Sequence, residues 1–390
     1  MPLILRVMNI SGILYDDAYH YMIIIVLGLV AMMAYNLLSS ICRALGDSRT
    51  PLYFLIVSSL LNIALALLFI VVFGWGVPGS AIALVIAQGV SAVMCFAFMR
   101  KRFPMLRLTR SDWQFDRAFA WQHLRLGLPM AVQFLIISMG ILILQSVCNT
   151  FGPETIAGFV SATKIEQLAL QPMISFGIAM AVYSAQNYGA GKYDRAKQTL
   201  RYAMMIAIGF GLVVSILIQF IAAPVVGLFT ADAAVILLGA QYIRGYIWDC
   251  IFAGVHFSFS GYFCACGRSG ISFLHNLIAI LCVRIPGVYL TSKIFPHTLF
   301  PMGLATATGS LLSVIICIIA YRWLCENPEN RIQDRTLTNF SRSSKIVTHY
   351  ESPFLMITYL ICASSCASSH SFFSSPPAYP VRLPSLPMTR

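Results

Sequence analysis

Charge is scarce in this sequence. Asp, Glu, Lys and Arg make up 10% of its 390 residues, 58% are hydrophobic, and the mean hydropathy is +0.79. Soluble domains carry about 25% charged residues, so the composition excludes a water-soluble globular chain and implies a polytopic membrane protein. Acids are the scarcer sign, 14 against 26 Lys and Arg, for a net charge of +12. That excess is no nucleic-acid footprint, because the basic residues sit mostly in a few short loops and the tail. The expected surroundings are a lipid bilayer, with no nucleic acid. Cysteines at metal-site spacing are also lacking. The 11 cysteines fall mostly in apolar stretches, where a reduced Cys behaves as a small hydrophobe. Cys264-x-Cys266 has no matching second pair. No secretory leader is expected, since residues 2–15 are too short and contain Arg6. No His/Asp/Glu grouping stands at catalytic spacing, which argues against a membrane-embedded enzyme.

What is present is a series of long apolar runs. Nine of them, 19–41, 51–73, 79–99, 127–149, 156–188, 196–229, 237–266, 273–294 and 300–324, are long enough to cross ~30 Å of hydrocarbon at ~1.5 Å per residue. The spacing predicts an all-α integral membrane bundle of nine transmembrane helices. Loops at Arg43/Arg49, 100–125, Lys192–Arg201, Arg268 and Arg322 are basic, whereas the alternate loops hold Glu154, Asp232 and, as the exception, Lys293. Cytoplasmic loops carry excess Lys and Arg, so the C-terminal tail is expected in the cytoplasm and the protein in the cell membrane. Four segments follow: 1–99, a partial N-terminal lobe of three spans; 100–126, a basic cytoplasmic linker; 127–325, a six-helix C-terminal lobe; and 326–390, a disordered cytoplasmic tail. Within the linker, Ser111 or Asp112 is suited to cap a short interfacial helix carrying Trp113, Phe119 and Ala120. The tail is rich in Ser, Pro and Arg, and its composition is what a shifted reading frame would produce.

The chain also repeats itself. Cys42-Arg-Ala-Leu-Gly-Asp-Ser48 parallels Phe263-Cys-Ala-Cys-Gly-Arg-Ser269, and Gly79-Ser-Ala-Ile-Ala83 parallels Gly303-Leu-Ala-Thr-Ala307. The first three spans read as a copy of the last three in the same orientation. Such parallel repeats are a habit of secondary transporters, which bind substrate between their halves.

At these motifs the sequence resembles the multidrug and toxic compound extrusion (MATE) family. The matching pieces are Arg43-Ala-Leu-Gly-Asp-Ser-Arg-Thr-Pro51, Gly127-Leu-Pro129, Ala185-Gln-Asn-Tyr-Gly-Ala-Gly191 and the two Gly-x-Ala starts. The resemblance covers roughly residues 18–324. It implies a twelve-helix, two-lobe transporter of which this chain corresponds to helices four to twelve, so that the first three helices are expected to be absent. It further implies a monomer that exports small amphipathic or cationic compounds in exchange for sodium ions or protons, with no other cofactor. Some branches place a coupling acid midway along the seventh or tenth helix. Residues 127–149 and 250–266 contain none, which leaves the coupling ion open. A lipid-linked substrate flippase of the same broad fold and a non-functional fragment are the alternatives.

Ionisable residues inside the spans are expensive and point to function. At about 100° per residue, Lys164, Gln171 and Ser175 share one helical face with Gln167 beside it, while Glu166 points away from Lys164. Glu166 and Lys164 are candidates for ion or substrate handling, or members of a buried structural network. Asp249 and Arg284 are suited to an interhelical pair, structural or functional. His256 titrates near neutral pH when free, but a lone His in an aromatic span also serves as packed core.

Overall fold

In hydrocarbon the backbone must satisfy its own hydrogen bonds, so long apolar runs become helices. The computed structural model describes residues 14–106, 117–148, 152–295 and 298–326. The expectations for residues 1–13, for a helix start at Ser111 or Asp112, and for the tail from residue 327 lie outside them.

The helices are α1 (Leu14–Ala44), α2 (Arg49–Leu67), α3 (Gly76–Arg102), α4 (Arg117–Cys148), α5 (Pro153–Gly189), α6 (Tyr193–Val226), α7 (Ala233–Tyr246), α8 (Asp249–Ala265), α9 (Ser269–Ala279), α10 (Ile285–Ile294) and α11 (Phe300–Glu326). A π-helical turn at Leu68–Val72 extends α2, and another at Ile280–Arg284 joins α9 to α10. Among the described residues, eight helical stretches are long and apolar enough to cross a membrane, and each coincides with a predicted span. Two expectations need correction. The predicted span 237–266 is broken into α7 and α8 at Ile247–Trp248. Ala120 sits in the first turns of the long α4 rather than on a separate interfacial helix.

Helices α1 and α2 both pack on α3, and α7, α8 and α9 all pack on α11. Lipid tails supply no hydrophobic drive between helices, so close backbone approach and interhelical hydrogen bonds hold them. A Cβ added at Gly261 of α8 would overlap the Gly177 carbonyl of α5, and one at Gly303 of α11 would overlap the Tyr242 carbonyl of α7. In the first group Tyr35 Oη donates to the Pro51 carbonyl (3.0 Å), Ser58 Oγ to that of Ala87 (2.8 Å) and Ser91 Oγ to that of Phe54 (3.1 Å). The two groups meet where Ala44 packs on Ile178, Val182 and Ala185 and the Gln186 side-chain amide donates to the Ala44 carbonyl (3.1 Å). Leu27, Val30, Leu60 and Phe220 are 74%, 75%, 64% and 78% exposed, an apolar surface suited to lipid or to further helices.

The repeated sequence motif has a repeated geometry. After α1, Asp47 N donates to Cys42 O (3.0 Å) and Gly46 N to Arg43 O (3.0 Å), with Gly46 at φ 89°. After α8, Arg268 N donates to Phe263 O (2.9 Å) and Gly267 N to Cys264 O (2.9 Å), with Gly267 at φ 74°. Both are Schellman ends, in which glycine takes the left-handed position that L side chains resist.

Candidate buried charge cluster

The break between α7 and α8 is where the site is built. There Cys250 N donates to the Ile247 carbonyl (3.0 Å) in a tightened turn, and α6 adds side-chain donors. Ser215 and Gln219, four apart and so on one face of α6, donate to the carbonyls of Ile247 (3.0 Å) and Arg244 (3.0 Å). Arg244 Nε returns a bond to the Gln219 carbonyl (3.1 Å), which binds it to α6 rather than to Asp249. The break turns Asp249 into the first residue of α8, where the helix dipole favours a carboxylate.

Asp249 is buried and doubly engaged. Tyr246 Oη donates to its Oδ2 (3.2 Å), and Arg284 Nη2 donates to its Oδ1 (3.2 Å) and Oδ2 (3.5 Å). The same Arg284 nitrogen donates to Ser310 Oγ (2.5 Å). Arg284 closes the π-helical turn just before Pro286, whose missing N–H spoils the regular ladder there. Gly309 on α11 leaves room for its stem, since a Cβ there would overlap Arg284 Cγ.

Glu166 enters from α5. The Tyr246 and Tyr242 hydroxyls are its polar neighbours, and the charges acting on it are those of Asp249 and Arg284. Yet among the described residues neither its Oε2 nor the Tyr242 hydroxyl, both buried, makes a hydrogen bond of normal geometry. The cluster therefore holds two carboxyl groups against one guanidinium, with two oxygens uncommitted. Such atoms are costly to bury without a partner.

The structure thus brings Glu166, Asp249 and Arg284 together and leaves the other candidates elsewhere. Lys164 and Gln167 are half-buried and Gln171 is exposed on a different side of α5, where Ser175 Oγ donates to the Gln171 carbonyl (2.9 Å). His256 is buried on α8 beside Phe257 and His275. Sequence reasoning missed Tyr242, Tyr246, Ser310 and His275. The spacing of three between Tyr246 and Asp249 is a local signal for the second of these. Ser310 and His275 reach the site only through packing between distant helices.

Comparison with known proteins agrees with the fold. A family model described as MatE matches residues 1–68 and 129–290, together more than half of the chain. The probable multidrug resistance protein YpnP of Bacillus subtilis is 28% identical over 325 residues, 82% of this chain and 71% of its own. The probable multidrug resistance protein NorM of Thermotoga maritima is 23% identical over 317 residues, 79% of this chain and 66% of its own. The chain thus spans about two thirds of the length of these relatives. A crystal structure of a MATE protein in complex with MaL6 superposes with a TM-score of 0.75 at 22% identity, covering 86% of this chain and 74% of that one. From the extent of the family match, supported by that likeness of fold, the chain belongs to the MatE family of multidrug efflux transporters.

Proposed function

We propose that this chain is a secondary exporter that moves amphipathic or cationic compounds outward in exchange for an inward-moving sodium ion or proton, with Glu166 and Asp249 holding the exchanged charge. The observation that carries this reading is the imbalance of the buried cluster. One guanidinium neutralises one carboxylate, and the second carboxyl has an uncommitted oxygen facing an uncommitted phenol. An unpaired carboxylate is expensive at membrane depth, so ionised Glu166 calls for one positive charge, met by a sodium ion or its own proton. The site also lies at a broken helix, the kind of element on which transporters hold coupling ions.

In this mechanism Arg284 pairs with Asp249 and orients it, Tyr246 fixes the carboxylate from the other side, and Tyr242 and Glu166 offer oxygens to the arriving ion. Lys164, Gln167 and Gln171 form a separate polar stripe on α5, suited to the polar parts of a substrate. The protein acts as a monomer in the cell membrane with its tail in the cytoplasm, the orientation that the alternation of basic loops favours. The test uses cells without exporters of their own, expressing wild type or Glu166→Gln at matched membrane levels. Glu166→Gln is expected to insert normally but lose ion-driven efflux of a cationic dye. Unchanged efflux across a range of pH and sodium concentration would leave Glu166 a purely structural residue.

A further inference from the structure

The polar seam does not end at the ion pair. Ser310, which accepts from Arg284, lies one turn from Ser313 on α11, so the two serines share a face. Ser313 Oγ is 3.2 Å from His275 Nδ1 and also donates to the His275 carbonyl (3.3 Å). With the serine hydrogen committed to that carbonyl, its oxygen accepts from Nδ1–H. His275 is thereby assigned from its network as the Nδ1–H tautomer, and its Nε2 accepts from the Ser260 hydroxyl (2.9 Å). Ser260 lies one turn beyond His256 on α8, and the two imidazole rings stand 5.8 Å apart. His256 is 4% exposed and its Nδ1 has no hydrogen-bond partner among the described residues.

His256 follows Asp249 by seven residues, which puts both on one face of α8 about 10 Å apart along the axis. His275 lies two turns into α9 from the end that bears Arg268. The polar groups thus run from the cluster toward that end of the bundle. A residue that only filled space would be served by Phe or Leu without an orphaned ring nitrogen. An open nitrogen beside a fully bonded imidazole is what a proton carrier needs, because one site must be vacant for the next proton.

We infer that His256 and His275 form a proton relay between the Glu166–Asp249–Arg284 cluster and the end of the bundle that carries Arg268. The inference rests on the antiport reading and specifies its ion as the proton. His256 takes a proton at its free Nδ1 and passes the one on Nε2, through water, to Nε2 of His275, which gives up its own Nδ1 proton on the Ser313 side. On each ring one N–H bond forms and one breaks, and a return tautomer shift readies the ring for the next proton. The groups acting on His256 are His275 from α9 and Arg284 from the π-helical turn. Asp249 stands on its own helix, Glu166 reaches the cluster from α5, α11 presents Ser310 and Ser313, and α6 packs against the same helix with Ala207 beside Gly254. Water admitted in one state of the transport cycle closes the gap between Asp249 and His256, and its exclusion in the other prevents a leak.

The test uses the full chain in proteoliposomes with ethidium as substrate and a pH-sensitive dye inside. Two rates are measured: ethidium-driven proton flux, and ethidium–ethidium exchange at equal pH, which moves no net proton. For His256→Gln the proton flux is expected to fall about a hundredfold, the lower end of what a positioned proton carrier contributes, with exchange unchanged. Ser260→Ala, which removes only the hydroxyl facing His275, is a milder variant for the case in which His256→Gln does not fold, and is expected to slow proton flux alone. Equal losses in both rates would make the histidines structural and overturn the relay, as would no loss in either. Ethidium movement without proton movement in wild type would refute the proton reading itself. Proton movement that survives in both variants would refute only the relay.

Discussion

The Asp249–Arg284 pair can be dissected energetically. At the observed 3.2 Å, two unit charges interact by about 5 kcal/mol at an effective dielectric of ~20. Desolvating both ions offsets most of this, so the pair is worth little against a well-packed apolar replacement. Breaking it is another matter, because one buried charge is stranded. The expected cost is ~3–5 kcal/mol for either single variant. The two singles should differ in order. Asp249→Asn leaves the guanidinium with Ser310 and with Glu166 as an alternative partner, and Arg284 is 28% exposed. Arg284→Gln leaves Asp249, 2% exposed, facing Glu166 with no cation between them, so it should be the worse of the two. The double variant should recover part of the loss, giving a coupling energy of ~2–3 kcal/mol. Unfolding in mixed micelles, followed for wild type, both singles and the double, measures each value. Additivity within about 0.5 kcal/mol would show that the two groups do not interact as described.

Three further outcomes are expected. Gly261→Ala, which forces a methyl into the Gly177 carbonyl, should cost ~1–3 kcal/mol, whereas Gly209→Ala, with open space around it, should stay within about 0.5 kcal/mol; equal effects on thermal stability would contradict the close α5–α8 approach. Burial alone would raise the Asp47 carboxyl, but hydrogen bonds from the Thr50 N–H (3.0 Å) and hydroxyl (2.7 Å) outweigh it and hold the group below the usual carboxylate range. Its stabilising contribution is therefore present above its unfolded pKa of about 3.9 and lost as pH falls through the lower folded value, so the stability gap between wild type and Asp47→Asn should close in acid; a gap independent of pH would refute this. In a background lacking the other cysteines, exposed Glu154→Cys should react with an impermeant maleimide in intact cells and Arg100→Cys only after permeabilisation; the reverse would invert the topology.

The fold was largely legible because its signal is long and redundant. An apolar run of 20 or more residues admits few structures in a membrane, and the turns at Gly46 and Gly267 repeat in geometry as they do in letters. The break at Ile247–Trp248 was not legible, since the nearby Gly245 stands inside α7, where it makes room for the Phe300 carbonyl, and the side chains that bond the carbonyls at the break, Ser215 and Gln219, come from another helix. The same holds for the cluster. Asp249, Arg284 and Glu166 stand out individually as charges among apolar residues, but what joins them is packing. Tyr242 and His275 carry no mark that separates them from the aromatic residues that simply fill space.

The most direct test of the account is to impose each gradient separately on proteoliposomes containing the full chain and to measure accumulation of an amphipathic cation. The account predicts that a gradient of protons or of sodium directed out of the vesicle drives accumulation of the cation inside against its concentration difference, since the two exchange, and that Glu166→Gln abolishes this drive while leaving passive substrate exchange intact. Accumulation that ignores both gradients, or that persists at the wild-type level in Glu166→Gln, would contradict the assignment of the exchanged charge to this cluster.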